Sequence, residues 1–311
     1  MSVSYGKKIN GVLLLDKPSG ISSNMALQQV KQIFNAKKAG YIGTLDPLAT
    51  GMLPVCFGEA TKLAQYLLDS DKRYRVTAKL GQRTNTYDAH GIVINERPIN
   101  INTSILQDTL QYFRGKIKQI PPMYSAIKYK SKPLYKYARQ GIAVSRQARY
   151  IMIYDLQFIC LEGNQLQLEI HCSKGTYVRT LIDDLGEKLG CGAHVIALRR
   201  LNVADYSIDR MITLNQLKTI KDPSLKPDED AASISNLLAL LMPIESIVSI
   251  LPEINLISVI ANDIKQGKKI FIPKLHFTGL VRVTEGKERR FFGLAEINNG
   301  FIQPRRLLVD S

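Results

Sequence analysis

Apolar positions along this 311-residue chain change period from segment to segment, and each change predicts an element. "GVLLLDKPSG" is a short buried strand closed by a turn at Lys17-Pro18-Ser19-Gly20. Ser22 or Ser23 then caps a helix whose apolar positions include Ala26, Leu27, Val30, Ile33 and Phe34. "ATKLAQYLLDSDK" predicts a second helix, and "RYRVTAKLG" alternates Tyr74, Val76, Ala78 and Leu80 as a strand. "LQLEIHCSKGTYVRTLIDDLGEKLG" reads as strand, glycine turn and helix, with Val178, Leu181, Ile182, Leu185 and Leu189 on one stripe. Arg179 lies off that stripe in the first turn, where a cation meets the positive end of the helix dipole. It is either solvent-facing or paired with a nearby anion. The stretch 220–235, "IKDPSLKPDEDAASIS", breaks all periodicity and predicts a loop. After a boundary near residue 250, short strand-like runs punctuated by glycine predict a small β-rich module.

Charge sharpens this picture. Forty-two basic against 27 acidic residues give a net charge of +15, which points to a polyanionic partner. Between Asp108 and Asp155 there is no acid but ten basic residues and seven of the fourteen tyrosines. A solvated basic face is one reading; basic residues interleaved with aromatics also match a surface that grips a nucleic-acid backbone and stacks on bases. Few periodic apolar patterns fill the stretch, so part of it is expected to be an extended arm. Lys265 to Arg306 adds ten basic residues against three acids.

Other classes are disfavoured. No run approaches the roughly 18 apolar residues that span a bilayer, and "MSVSYGKKING" lacks the apolar core of a signal peptide, so a soluble cytoplasmic protein is expected. Cys56, Cys160, Cys172 and Cys191 are scattered without a C-x-x-C pair, and the four histidines are equally dispersed, against a zinc site or a disulfide framework. No phosphate-loop or dinucleotide fingerprint occurs, so nothing points to a nucleotide cofactor.

One segment is odd as ordinary structure. "YIGTLDPLATGMLPV" sets a single acid, Asp46, before Pro47 in a turn rich in glycine and proline. Together with "GVLLLDKPSGISSN", "DKRYRVTAKLGQRTNTYDAHG", "QIPPMYSAIKYKSKPLYKYARQG", "CSKGTYVRTLIDDLGEKLG" and "GAHVIALRRL", it resembles the TruB family of bacterial pseudouridine synthases, which convert the T-loop uridine 55 of tRNA. The resemblance implies an α+β fold with a long mixed, mostly antiparallel sheet and an RNA-binding cleft. The expected catalytic domain spans 9–249, with an RNA-gripping insertion at about 124–152, and a PUA-type RNA-binding domain spans 250–311. It further implies no metal, no organic cofactor, and tRNA as partner through its T stem-loop; no protein partner is implied, and since nothing in the sequence signals oligomerisation a monomer is expected.

By motif, the resemblance places the catalytic aspartate at Asp46, a base-packing tyrosine at Tyr74 and the aspartate's arginine partner at Arg179. Tyr177 and Leu198 fall on positions lining the pocket, Lys17 and Pro18 on the N-terminal substrate motif. Tyr124, Lys128, Lys130, Lys132, Lys136 and Arg139 fall in the RNA-gripping arm. Tyr41 departs from the pattern, since relatives often carry a histidine there that contacts RNA. A tyrosine can stack on a base but cannot become cationic near neutral pH.

The chemistry needs few parts. Asp46 is the candidate nucleophile on uracil C6 or ribose C1′, or a base removing the 2′-proton, and a rigid turn preorganises it. Arg179 would keep it ionised and aimed. Tyr74 offers a ring to stack on uracil and a hydroxyl to move the C5 proton. A stacked loop uridine must be extruded, and the arm's phosphate contacts can offset that cost. The alternatives are a non-catalytic RNA-binding or chaperone protein, which needs none of these three residues, and a glycoside-type hydrolase. A retaining hydrolase requires a second carboxylate within about 5.5 Å. Asp16 and Asp88 are the nearest candidates, and both read as turn residues.

Overall fold

The computed structural model describes residues 6–221, 227–273 and 277–308, so the first five residues of the N-terminal segment read above for a leader lie outside it, as does His276. In chain order come β1 (Gly11–Lys17), α1 (Ser23–Ile33), β2 (Ala39–Tyr41), β3 (Thr50–Phe57), α2 (Ala64–Leu68), β4 (Lys72–Leu80), β5 (Gln82–Thr84), β6 (Val93–Glu96) and α3 (Thr103–Tyr112). Then follow β7 (Gly115–Gln119), β8 (Lys128–Tyr129), β9 (Lys132–Pro133), α4 (Leu134–Ala138), β10 (Arg149–Glu162), β11 (Gln165–Cys172), α5 (Val178–Lys188), β12 (Ala193–Val203), β13 (Ile212–Thr213), α6 (Leu214–Ile220) and α7 (Pro227–Ala239). The last stretch holds β14 (Glu253–Leu256), α8 (Ser258–Lys265), β15 (Ile270–Phe271), β16 (Gly279–Glu285), β17 (Arg290–Asn298) and β18 (Phe301–Leu307).

Among the described residues, nine strands form one sheet in the order β13-β1-β3-β12-β4-β11-β10-β7, with β2 added beside β3. Every pairing is antiparallel except β1 with β13 and β3 with β12, so the expected mixed, mostly antiparallel sheet is present. A central strand covered on both faces must be apolar throughout rather than alternating. In β1, Leu13 and Leu15 enter one core and Val12 and Leu14 the other, all essentially inaccessible to solvent. Each such burial contributes about 2 kcal/mol. Helices α1, α3, α5 and α6 cover the first core through Val30, Leu110, Leu181 and Leu217. β4 alternates as read, sending Val76, Ala78 and Leu80 into that core and leaving Tyr74 at its edge.

A second sheet, ordered β14-β16-β17-β18-β15, makes the C-terminal part β-rich as expected. Its Leu294 joins the core on the other face of the main sheet, and Lys62 Nζ donates to Leu307 O at 3.4 Å. Helix α8, within the run read as strand-like, packs Ala261 and Ile264 against this sheet.

Two readings of local structure need correction. The second helix begins as a 3-10 turn, Gly58–Leu63, and α2 is only five residues long. The Lys72 ammonium, nearly buried, binds the carbonyls of Leu67, Leu68 and Ser70 and closes the helix there. The loop read at 220–235 is helical from Pro227 onward, while 222–226 lie outside the described residues. Proline suits a helix start because its missing N–H has no intrahelical role there. Leu237 anchors α7 in the core, and Ser233 Oγ donates to Ile220 O at 2.5 Å. Periodicity missed this helix because few of its residues are apolar.

Candidate active site

Asp46 sits in the turn from β2 to β3, and other segments hold that turn. Ser22, not Ser23, caps α1, its Oγ accepting from Met25 N at 3.1 Å. That leaves Ser23 to donate to Leu45 O at 3.0 Å and accept from Leu45 N at 2.8 Å, one residue before the carboxylate. Gly20 N donates to Pro47 O at 2.8 Å, and Ser19 Oγ to Leu48 O at 3.1 Å. Lys17 is wholly buried beneath the turn. Its ammonium donates to Pro18 O and Ile21 O at 2.8 and 2.7 Å and reaches Pro47 O at 3.5 Å. Burial pulls its pKa down to about 8, against the opposing pull of Asp46. Lys17 and Pro18 do not line the cavity, and the Lys17 ammonium is taken up in bracing the turn.

Arg200 braces the turn from β12 and was missed in the sequence. It is 1 % exposed, and its guanidinium donates to Met52 O at 2.7 Å, Gly43 O at 2.8 Å and Ile42 O at 3.4 Å. Its proximity explains two glycines of the motif. Gly43, at φ +70°, has room for no side chain, since a Cβ would lie 2.9 Å from Arg200 Nη1. At Gly51, φ +96°, a Cβ would lie 2.2 Å from Arg200 O. Arg200 also pairs in register with Tyr74 across β12 and β4. Burial raises the Tyr74 pKa, and the Arg200 guanidinium hydrogen-bonded to its hydroxyl opposes that rise.

Arg179 projects from the first turn of α5 and is 5 % exposed, so it is not solvent-facing. Its Nε lies 2.9 Å from Asp46 Oδ2 and its Nη2 3.3 Å from Oδ1, an ion pair engaging both carboxylate oxygens. Nη2 also donates to Tyr124 O at 2.6 Å, and Nη1 to Thr86 O at 3.1 Å and Asp88 Oδ2 at 3.3 Å. The anion that position wants is thus supplied twice over. Asp88 serves as the expected turn residue, its Oδ1 accepting from His90 N at 3.0 Å and Thr86 Oγ1 at 2.7 Å, but its other oxygen shares Arg179 with Asp46. Tyr87, at φ +64°, holds the strained turn that presents these groups. The signal in the sequence is an acid in a glycine-bounded turn, "TYDAHG", just beyond the Tyr74 strand. Burial raises the Asp46 pKa above the ordinary carboxylate value. Asp88 adds to the rise, while Arg179 and Lys17 oppose it.

These groups surround a cavity of about 280 Å³ lined by Asp46, Tyr74, Tyr177, Arg179, Leu198 and Arg200 among others. Gln119 holds Tyr177, donating to its carbonyl at 3.0 Å and accepting from its N–H at 2.8 Å. Tyr41 is half-buried beside β3, opposite Val55, and is not in the wall. A larger groove of about 870 Å³ is lined by Asp71, Lys72, His171 and Asp205 among others, and among the described residues no carboxylate–arginine ion pair lines it.

The arm leaves the site at Tyr124, which meets Arg179 through its backbone oxygen. Lys130 and Ser131, at φ +46° and +65°, form the tip of the β8–β9 hairpin, and Lys128, Lys130, Lys136 and Arg139 are exposed. The arm's tyrosines serve the arm itself. Tyr137 donates to Tyr129 O at 3.2 Å, Lys132 lies over the Tyr137 ring at 4.7 Å, and Arg139 lies over Tyr135 at 5.5 Å. Lys132 is half-buried and also donates to Gln140 at 2.9 Å.

The fold matches that of the archaeal Cbf5–Nop10 complex of the box H/ACA ribonucleoprotein, with a TM-score of 0.70 at 22% identity over 96% of this chain and 86% of that one. It equally matches an H/ACA ribonucleoprotein bound to a substrate RNA containing 2′-deoxyuridine, at TM-score 0.70 and 20% identity over 100% and 92%. Residues 31–178 match the TruB family pseudouridylate synthase N-terminal domain, 179–249 the tRNA pseudouridylate synthase B C-terminal domain, and 252–308 the pseudouridine synthase II TruB C-terminal domain. Proteins called tRNA pseudouridine synthase B are 59% identical in Photorhabdus laumondii, covering 98% of both chains, and 56% identical in Serratia proteamaculans, covering 98% of this chain and 97% of that one. The chain belongs to the TruB family of pseudouridine synthases, and it is an isomerase.

Proposed function

We propose that the protein converts uridine 55 in the T-loop of tRNA to pseudouridine, with Asp46 as nucleophile after the base is flipped into the cavity. The observation that carries this is the two-oxygen pairing of Asp46 with Arg179, a guanidinium locked by Asp88, Thr86 and Tyr124, at the wall of a cavity shared with Tyr74. The ionised carboxylate makes that contact, and only the ionised form attacks carbon. The C1′–N1 bond breaks, the uracil turns, and C5 bonds to C1′. N1 gains a proton, and C5 loses one to the Tyr74 hydroxyl or to solvent, so the reaction is balanced without a co-reactant. Tyr74 stacks on the base, and Leu198 and Tyr177 close the walls against water. A hydrolase fits less well: Asp88 is buried behind Arg179 rather than facing the cavity, and Asp16 is paired with Arg199 at 2.8 Å.

The unit spanning 9–249 would carry catalysis. The part from 250–311, as a PUA-type module, and the arm's Lys128, Lys130, Lys132, Lys136 and Arg139 would grip the RNA, with Tyr124 bordering the opened loop. No described helix is long and apolar enough to cross a membrane, and a monomer acting on tRNA in the cytoplasm is the corresponding proposal. The test is pseudouridine mapping by cyanoethylation mass shift in a T-arm hairpin, with wild type beside Asp46→Asn. Conversion of the T-loop uridine by wild type alone supports the proposal. Release of free uracil would support a hydrolase, and binding without conversion by either protein would leave only an RNA-binding function.

A further inference from the structure

Arg149, the first residue of β10, belongs to the wall of the Asp46 cavity and takes no part in the reaction derived above. Its guanidinium carbon lies 5.0 Å from the centroid of the Tyr177 ring, which braces one face of the fork. A Cβ on Gly175, a residue at φ +78°, would sit 3.5 Å from that carbon, an ordinary van der Waals contact, so the guanidinium packs close beside the glycine turn. Its Nε is buried without a hydrogen-bond partner, and among the described residues no carboxylate pairs with it.

The other arginines around the cleft are engaged: Arg179 by two aspartates, Arg200 by three carbonyls, Arg199 by Asp16 and Arg75 by Glu169. A buried donor without an acceptor is costly to leave unmade, so an arginine held in one orientation with its donors idle is preset for a ligand. The ligand must be anionic. The same wall is formed by the start of α5, where no side chain caps the helix and the positive end of its dipole adds positive potential. A planar fork matches the two non-bridging oxygens of a phosphodiester.

We propose that Arg149, braced on Tyr177, is a clamp for a phosphodiester adjoining the flipped uridine. The inference rests on the reading of the cavity as a nucleotide site. It makes Arg149 a substrate-binding residue that fixes the backbone while the base turns, distinct from the exposed arm lysines that act by charge alone.

The experiment measures affinity and single-turnover conversion of T-arm hairpins. Each carries one methylphosphonate at a linkage near the target, matched with a 2′-deoxy control. Wild type should lose about tenfold in affinity at one linkage flanking the target uridine. Arg149→Met should lose about tenfold on the unmodified hairpin and nothing further at that linkage. Its slope of log K against log[salt] should fall by roughly 0.7–0.9. Arg149→Lys should keep the salt slope but recover only part of the affinity, and it serves in place of the methionine variant if that one fails to fold. The clamp is overturned if every variant shows the same linkage profile as wild type while wild type still converts the unmodified hairpin. If wild type converts no uridine at all, the nucleotide reading fails, and the clamp with it.

Discussion

Asp88→Asn is the sharpest single perturbation of the site, because it replaces one oxygen of a buried side chain by NH₂ and changes almost no volume. Asp88 is 4 % exposed, with three donors aimed at it: Arg179 Nη1 at one oxygen, Thr86 Oγ1 and His90 N at the other. An amide cannot satisfy them all. With its oxygen toward Thr86 and His90, its NH₂ faces the Arg179 guanidinium, donor against donor. Flipped, it meets the arginine correctly but turns NH₂ on two other donors. Either way at least one buried hydrogen bond involving a charged or backbone group is lost, worth about 1.5–3 kcal/mol.

Much of that loss should appear in catalysis, since Arg179 freed on one side no longer holds Asp46 in a single orientation. At about 1.36 kcal/mol per decade, the single-turnover rate should fall roughly 10- to 100-fold. The assay is tritium release from [5-³H]uridine in a T-arm hairpin at saturating enzyme, with RNA affinity measured separately and expected to change less than threefold. A rate within twofold of wild type, in a variant that melts normally, would refute the reasoning and reduce Asp88 to a turn residue.

The same network sets the pH profile with a definite sign. On the proposed mechanism the ionised Asp46 is the active form, so kcat/KM should fall as pH drops through its raised pKa, with the acid limb above the ordinary carboxylate range. Arg179→Met removes the strongest influence lowering that pKa and should move the limb to higher pH. Asp88→Asn removes one that raises it and should move the limb to lower pH; equal shifts in one direction would contradict the assignment. Arg200→Met leaves buried carbonyls of Met52 and Gly43 without donors, a loss of about 3 kcal/mol or more, read in calorimetry as a Tm lower by roughly 6–12 °C. Gly51→Ala, whose Cβ would lie 2.2 Å from Arg200 O, should destabilise by about 3 kcal/mol through the same turn, whereas alanine at Gly20, with nothing within 4 Å, should cost about 1 kcal/mol for its φ alone. Replacing Lys128, Lys130 and Lys136 together by Gln should lower the salt slope of RNA binding by roughly 2–3 while sparing the rate at saturating enzyme.

What the sequence revealed and what it hid divide along a physical line. Tyr74 was legible because a strand with one buried face alternates, and α5 because its apolar stripe repeats at helical spacing. The Asp46 turn was legible because proline and glycine constrain the backbone locally. The bracing contacts of Lys17, the Arg179 contact of Asp88 and the whole role of Arg200 were not legible, because they depend on distance in space. The pairing of Arg200 with Tyr74 is a register between two strands far apart in the chain, and Lys17 looks like any surface lysine until β1 is placed under the turn. Three arm tyrosines, Tyr129, Tyr135 and Tyr137, lie against the arm's own cations and backbone, contacts that spacing in the sequence does not reveal.

These placements assign the charged groups around Asp46 to two different tasks. Lys17 and Arg200 carry positive charge into the interior, yet both end on carbonyl oxygens, and burial lowers the pKa of each. A salt bridge in either place would supply charge but not the several fixed acceptors needed to define a turn. Arg179 does the reverse, spending its fork on two carboxylates and on the oxygens of Thr86 and Tyr124. The carboxylate's backbone is therefore fixed from β1, α1 and β12, whereas its side chain is fixed from α5 through an arginine that also touches the first residue of the arm. Any displacement of the arm that moves the Tyr124 carbonyl loosens the group that aims Asp46. On the proposed function, gripping RNA and orienting the nucleophile converge on one guanidinium, which accounts for an arginine at a helix start where dipole and propensity alone would place an acid.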